Sequence, residues 1–126
     1  MAAPNIVNVA TITGKTVTTT LANTSQTALL TNTASSGKVF KINMIQVANI
    51  DGTNAADITI DINFLDGGGG SASTIKLVST ISVPADAALV VIDKNTAFYL
   101  EEDTRINGTA SAGGDLSVTI SYEEIS

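Results

Sequence analysis

The chain has 126 residues, a net charge of −6 from twelve acids and six bases, and no Cys, His or Trp. That length supports one domain burying about two-thirds of its unfolded surface, and the missing Cys and His remove disulfides, thiolate sites, the commonest general base and the commonest metal ligand. Aromatics at 4% and a surplus of acids argue against nucleic acid, which needs clustered Lys and Arg and stacking rings.

The first stretch, "MAAPNIVNVATITGK", has no basic leader and no unbroken apolar run, so neither a signal peptide nor a membrane span is expected. The protein is expected to be used without secretion or released by lysis. Residues 1–50 carry Lys15, Lys38 and Lys41 and no acid, whereas residues 51–126 carry all twelve acids against Lys76, Lys94 and Arg105. Solvation of exposed strand faces accounts for the acids most simply. The nearly uncharged start, with Lys15 as the one charge in residues 1–24, is better suited to lying against something. Strands are predicted near 5–12 and 16–21, but the Thr-rich region 1–24 also reads partly as an extended N-terminal arm. Its scattered apolar residues do not build a core, and Ile6, Val7, Val9 and Ile12 are the candidate assembly contacts. Ordering such a segment costs about 1–2 kcal/mol per residue, so a neighbouring sheet or a larger surface is expected to hold it. Residues 2–13 are accordingly expected to be dispensable for folding and to matter for attachment.

Further strands are predicted near 26–32, 38–50, 57–65, 74–83, 88–93, 97–101, 104–111 and 115–124. In "KVFKINMIQVANI" the alternation changes parity: Phe40, Ile42 and Met44 share one face, Ile45 and Val47 the other. A β-bulge or a crossing between sheets explains such a switch. "DGTNAAD" follows, with Asp51, Asn54 and Asp57 as oxygen ligands for a cation. It lacks the dense acids of an EF-hand loop, and an Asp-Gly turn is the simpler account. "ITIDINF" places Ile58, Ile60, Ile62 and Phe64 on one face, and the next strand turns Ile75, Leu77, Ile81 and Val83 inward. The "DGGGGSAS" between them lacks the Lys-Ser/Thr and helix of a phosphate cradle and reads as a hairpin tip.

"EED", Glu101 to Asp103, is the one acid triplet. Adjacent strand residues point to opposite faces, so these acids do not form a cooperating carboxylate pair. They read as a solvated turn that keeps a sheet edge from pairing. "LSVTISY" closes the chain with Leu116, Val118, Ile120 and Tyr122 inward. No window carries a helical period. The fold class is all-β, an antiparallel two-sheet sandwich of jelly-roll type with eight to ten short strands in one domain.

The order "SGKVFKINMIQVANIDGTNAADITIDI", "STISVPADAALVVIDKNTAFYLEEDTRI" and "ASAGGDLSVTISYEEI" resembles small virion structural proteins of tailed bacteriophages, particularly cyanophages. The likeness covers residues 36–126; "NIVNVATITGKT" fits more loosely. These motifs carry the fold and no chemistry. The resemblance implies a virion component and does not fix its place in the particle; the leading expectation is a non-enzymatic capsid decoration (cement) protein without a cofactor, partnered by major capsid protein or other virion proteins. It also implies threefold clustering, hence a homotrimer. Alternatives are a neck, tail or fibre component, or a host-surface or glycan-binding module, which the low aromatic count disfavours.

Overall fold

The apolar residues that alternate along "LSVTISY" and "ITIDI" cannot all be buried by one sheet, and the chain answers with two. The computed structural model describes residues 4, 7–64 and 73–126. Nine strands are present among them: β1 Ile12–Thr20, β2 Thr27–Asn32, β3 Val39–Asn49, β4 Ala56–Phe64, β5 Ser73–Val83, β6 Ala88–Ile92, β7 Phe98–Leu100, β8 Thr104–Ala110 and β9 Leu116–Ile125. One sheet has the order β1-β9-β3-β6, with β7 also paired to β3; the other has the order β2-β8-β4-β5. Every pairing is antiparallel. Apart from the short insert β7, this is the double Greek-key order of a jelly roll.

The core lies between the sheets. Ile42, Ile45 and Val47 of β3 and Leu116, Val118 and Ile120 of β9 meet Ile58 and Ile60 of β4 and Ile106 of β8, all essentially inaccessible to solvent. Phe40 and Tyr122 stack at a tilt, ring centroids 5.1 Å apart, near one end.

The parity change in β3 is a bulge. Ile42 pairs with Tyr122 and Met44 with Ser121, leaving Asn43 as the extra residue. The insertion lets Phe40, Ile42, Ile45 and Val47 all face the core. Met44 is turned to the outer face instead of sharing a side with buried Phe40 and Ile42.

Two expectations need correction. On β5, Val83 is buried, but Ile75 is 56% and Ile81 41% exposed. They pair with Ile62 and Ile58, yet β5 is the edge strand, its register against β4 shifts twice, and little lies over it. Phe64, at the end of β4, is likewise 41% exposed. The second correction concerns 1–24. Ile12–Thr20 is one continuous strand, paired residue for residue with Ile125–Ser117, and Thr11 and Ser126 exchange two further backbone bonds. The 12–20 part of the expected arm is sheet. The strand expected over 5–12 does not form at residues 7–11, which run through turn and bend into β1, and residues 5 and 6 lie outside the described residues. The expected hairpin tip at "DGGGGSAS" also lies outside them, except for Ser73 at the start of β5.

Candidate functional site

Alternation along β9 sends Leu116, Val118, Ile120 and Tyr122 inward and leaves Ser117, Thr119 and Ser121 on the outer face. Register then decides what stands beside each of them. Thr16, Ser121 and Met44 form one row across the sheet. Thr18, Thr119, Gln46 and Val90 form the second. Thr20, Ser117, Ala48 and Ala88 form the third, in which the Thr20 and Ser117 hydroxyls are hydrogen-bonded at 2.9 Å. At strand spacings of about 4.8 Å and two-residue steps of about 6.8 Å, the grid is roughly 14 Å on a side between Cα positions.

None of these side chains is charged, although the chain holds eighteen charged residues. Asp57, Asp61, Lys76 and Arg105 belong to the other sheet, and several of the remaining charges border the grid. Beyond the far end of β3 lie Asp51, Asp86 and Asp115, in loops tied by backbone bonds from Ile50 to Asp115 and from Asp86 to Asp51. At the opposite end Glu124 of β9 receives Lys15 of β1 at 3.2 Å and Lys38, just before β3, at 3.3 Å. Partial burial raises the Glu124 pKa, but the hydrogen bonds and charges of the two lysines outweigh it and hold the carboxyl below its usual range. Glu123 accepts a bond from Asn43 at 3.1 Å with Lys41 at 4.0 Å. Along the β6 side, a shallow groove of about 610 Å³ runs between Met44, Val90, Ser121 and the 3-10 turn at Asp93 and Lys94.

Among the described residues, the candidate contacts Val7, Val9 and Ile12 are not part of the grid. Ile6 lies outside the described residues; Val7 is 90% exposed, Val9 is half-buried, and Ile12 opens β1 opposite Ile125. Strand period in the sequence already turns Ser117, Thr119 and Ser121 outward, and Thr16-x-Thr18-x-Thr20 has the same spacing, but sequence reasoning missed that the two form joined rows. What the sequence does not print is that β1 and β9 are neighbours in matching register.

The "DGTNAAD" loop uses its acid internally. Asp51 accepts the Thr53 N–H at 2.8 Å, the main reason its pKa is lowered, and its second oxygen faces Asn54 at 3.4 Å. The Asp57 N–H donates to the Ser111 hydroxyl. Among the described residues, no group of three or more Asp or Glu is placed to hold a metal ion. Glu101–Asp103 forms the turn from β7 to β8. Glu101 is exposed, Glu102 accepts the Gly37 N–H at 3.4 Å, and Asp103 adopts a left-handed φ of 62° with its N–H on the Asn32 carbonyl.

No family model matches the sequence, and no curated protein matches it. Solved structures with a related shape include a pilus protein of Bacillus endospore appendages (TM-score 0.46, 16% identity, 92% of this chain and 88% of that one). Another is the infectious bursal disease virus Gx strain (TM-score 0.49, 13% identity, 93% of this chain and 32% of that one). A third is the CBM22-1-GH10 portion of Clostridium thermocellum xylanase 10B, complexed with xylohexaose (TM-score 0.42, 13% identity, 88% of this chain and 26% of that one). At these scores the likeness is one of general shape.

Proposed function

We propose that this chain is a non-enzymatic structural protein of a virion, a capsid decoration (cement) protein that attaches to major capsid subunits through the outer face of its five-stranded sheet. One observation carries the reading: a four-strand surface free of charge, bordered by Asp51, Asp86 and Asp115 at one end, by Lys41 and Glu123 at the other and by Asp93 and Lys94 beside β6. Docking such a face desolvates no ion, and its Ser, Thr and Ala side chains have little rotamer freedom to lose. A stable contact buries about 800 Å² per partner, so the grid would form the centre of the interface and the charged rims its border.

Gold-labelled antibody against the protein on intact particles is expected to decorate heads. Label confined to necks, tails or fibres would favour the runner-up, and absence of label would remove the virion reading. Thr119→Arg, at the middle of the grid, is expected to weaken attachment at least about tenfold while leaving the fold intact. Thr109→Arg, on the outer side of the other sheet, is expected to leave attachment unchanged.

A further inference from the structure

The jelly roll ends in four main edge strands, and three of them are broken up. β2 has a register shift between Ala28 and Leu30. β5 shifts twice against β4 and contains Thr80 at a left-handed φ of 49°. β6 has five residues and a shift opposite Ile45 and Gln46. Bulges and short strands are the usual means by which sheet edges are kept from pairing with other chains. β1 has neither. Its nine residues run in unbroken register with β9, and no described residue pairs with its far side.

The backbone direction at that edge follows from the hydrogen bonds at its two ends. Thr11 and Ser126 exchange N–H···O=C bonds of 3.0 and 2.9 Å, and the Leu21 N–H donates to the Leu116 carbonyl at 2.9 Å. In an antiparallel ladder the bonded pairs recur every second residue. Residues 11, 13, 15, 17, 19 and 21 therefore direct their peptide groups at β9. Ile12, Gly14, Thr16, Thr18 and Thr20 direct theirs outward, a row of N–H and C=O groups open to a further strand.

We propose that this edge pairs with the same edge of a second copy, antiparallel about a twofold axis at Thr16. The outward groups then match: Thr16 faces its counterpart, Gly14 faces Thr18, and Ile12 faces Thr20, each bonded pair exchanging two backbone hydrogen bonds. The charges agree. β1 contains no acid, and its single cation, Lys15, is held by Glu124 of its own chain at 3.2 Å. In this register Lys15 stands opposite Val17 of the second copy, so the lysines do not meet. A threefold ring would instead require β1 to meet a different edge of the next copy, and the other edges carry the interruptions. The paired sheets would join their two uncharged grids into one surface through Thr16, Thr18 and Thr20. This pairing follows from the edge alone and does not depend on what the grid binds.

Sedimentation of the intact protein at tens of micromolar is expected to give a dimer; a monomer or a trimer overturns the proposal. Thr16→Pro removes an outward N–H and no bond to β9, and is expected to weaken dimerisation roughly 10- to 100-fold. Because proline can also disturb β1 itself, a second variant fixes the register. The chain has no Cys, so the thiol introduced by Thr16→Cys can form a disulfide only with the same position of another copy. It is expected to give a disulfide-linked dimer under mild oxidation, whereas Ser79→Cys on β5 remains unlinked. A dimer that Thr16→Cys fails to trap would place the contact elsewhere and overturn the β1 pairing.

Discussion

Two buried asparagines do at residue scale what the alternating pattern cannot. Asn32, fully buried, ends β2 and donates from Nδ2 to the carbonyls of Lys38 and Leu100, both at 3.0 Å, while its Oδ1 accepts from the Ser36 hydroxyl. Asn49 ends β3 in the same manner, donating to the carbonyls of Asn54 and Val83 at 2.9 Å and accepting the Asp51 N–H. Each ties its own loop to a strand of the other sheet, so each alanine substitution leaves two carbonyls without their donor. Asn32→Ala and Asn49→Ala are each expected to cost about 2–4 kcal/mol, measured by urea unfolding; a loss under about 0.5 kcal/mol would show that water replaces them. Glu124 gives a pH-dependent counterpart. Its folded pKa is depressed, so the stability it contributes is present above the unfolded value near 4.5 and is lost as pH falls through the lower folded value. The double variant Lys15→Met/Lys38→Met is expected to lose less stability than the parent on acidification below about pH 4.5. Parallel acid limbs in the two denaturation profiles would argue against the pairing. Neither feature was legible in the sequence. "TNT" and "NID" look like ordinary turn residues, and Lys15 lies 109 residues from Glu124.

At the scale of elements, strand positions were legible because side-chain alternation is a local property. β8 and β9 sit close to where the period placed them, and the parity switch in β3 marked a real bulge at Asn43. Exposure at edges was not legible. Ile75 and Ile81 alternate like core residues, and only the sheet order shows that β5 lies at the margin. Loop packing was equally hidden. A Cβ at Gly113, in the β8–β9 connection, would lie 2.7 Å from the Ala22 carbonyl oxygen and 3.2 Å from Asn23 Cα, so the β1–β2 and β8–β9 loops touch backbone to backbone. Gly113→Ala is expected to destabilise the fold by about 1–3 kcal/mol in urea, because a backbone must move. Gly14→Ala, with no atom within 4 Å of its Cβ, serves as the control and is expected to remain close to the parent.

For the whole molecule, the double Greek key brings the strand that follows the arm beside the last strand of the chain. Truncation can therefore be divided at a residue. Removing residues 2–9 is expected to leave β1 whole and the melting temperature nearly unchanged. Removing 2–13 also takes Ile12 and Thr13 from the ladder and the Thr11–Ser126 bonds, and is expected to lower stability measurably. Equal melting curves for the two truncations would show that the start of β1 contributes nothing. The same adjacency has a mechanical side. Because β1 and β9 run antiparallel, tension applied between Thr11 and Ser126 would load the ladder one rung at a time, like a zipper opened from its end. Traction between Thr20 and Ser126 would instead load many rungs together in shear. A protein built this way yields readily when β1 and β9 are drawn apart at one paired end and resists when the same two strands are pulled from opposite ends.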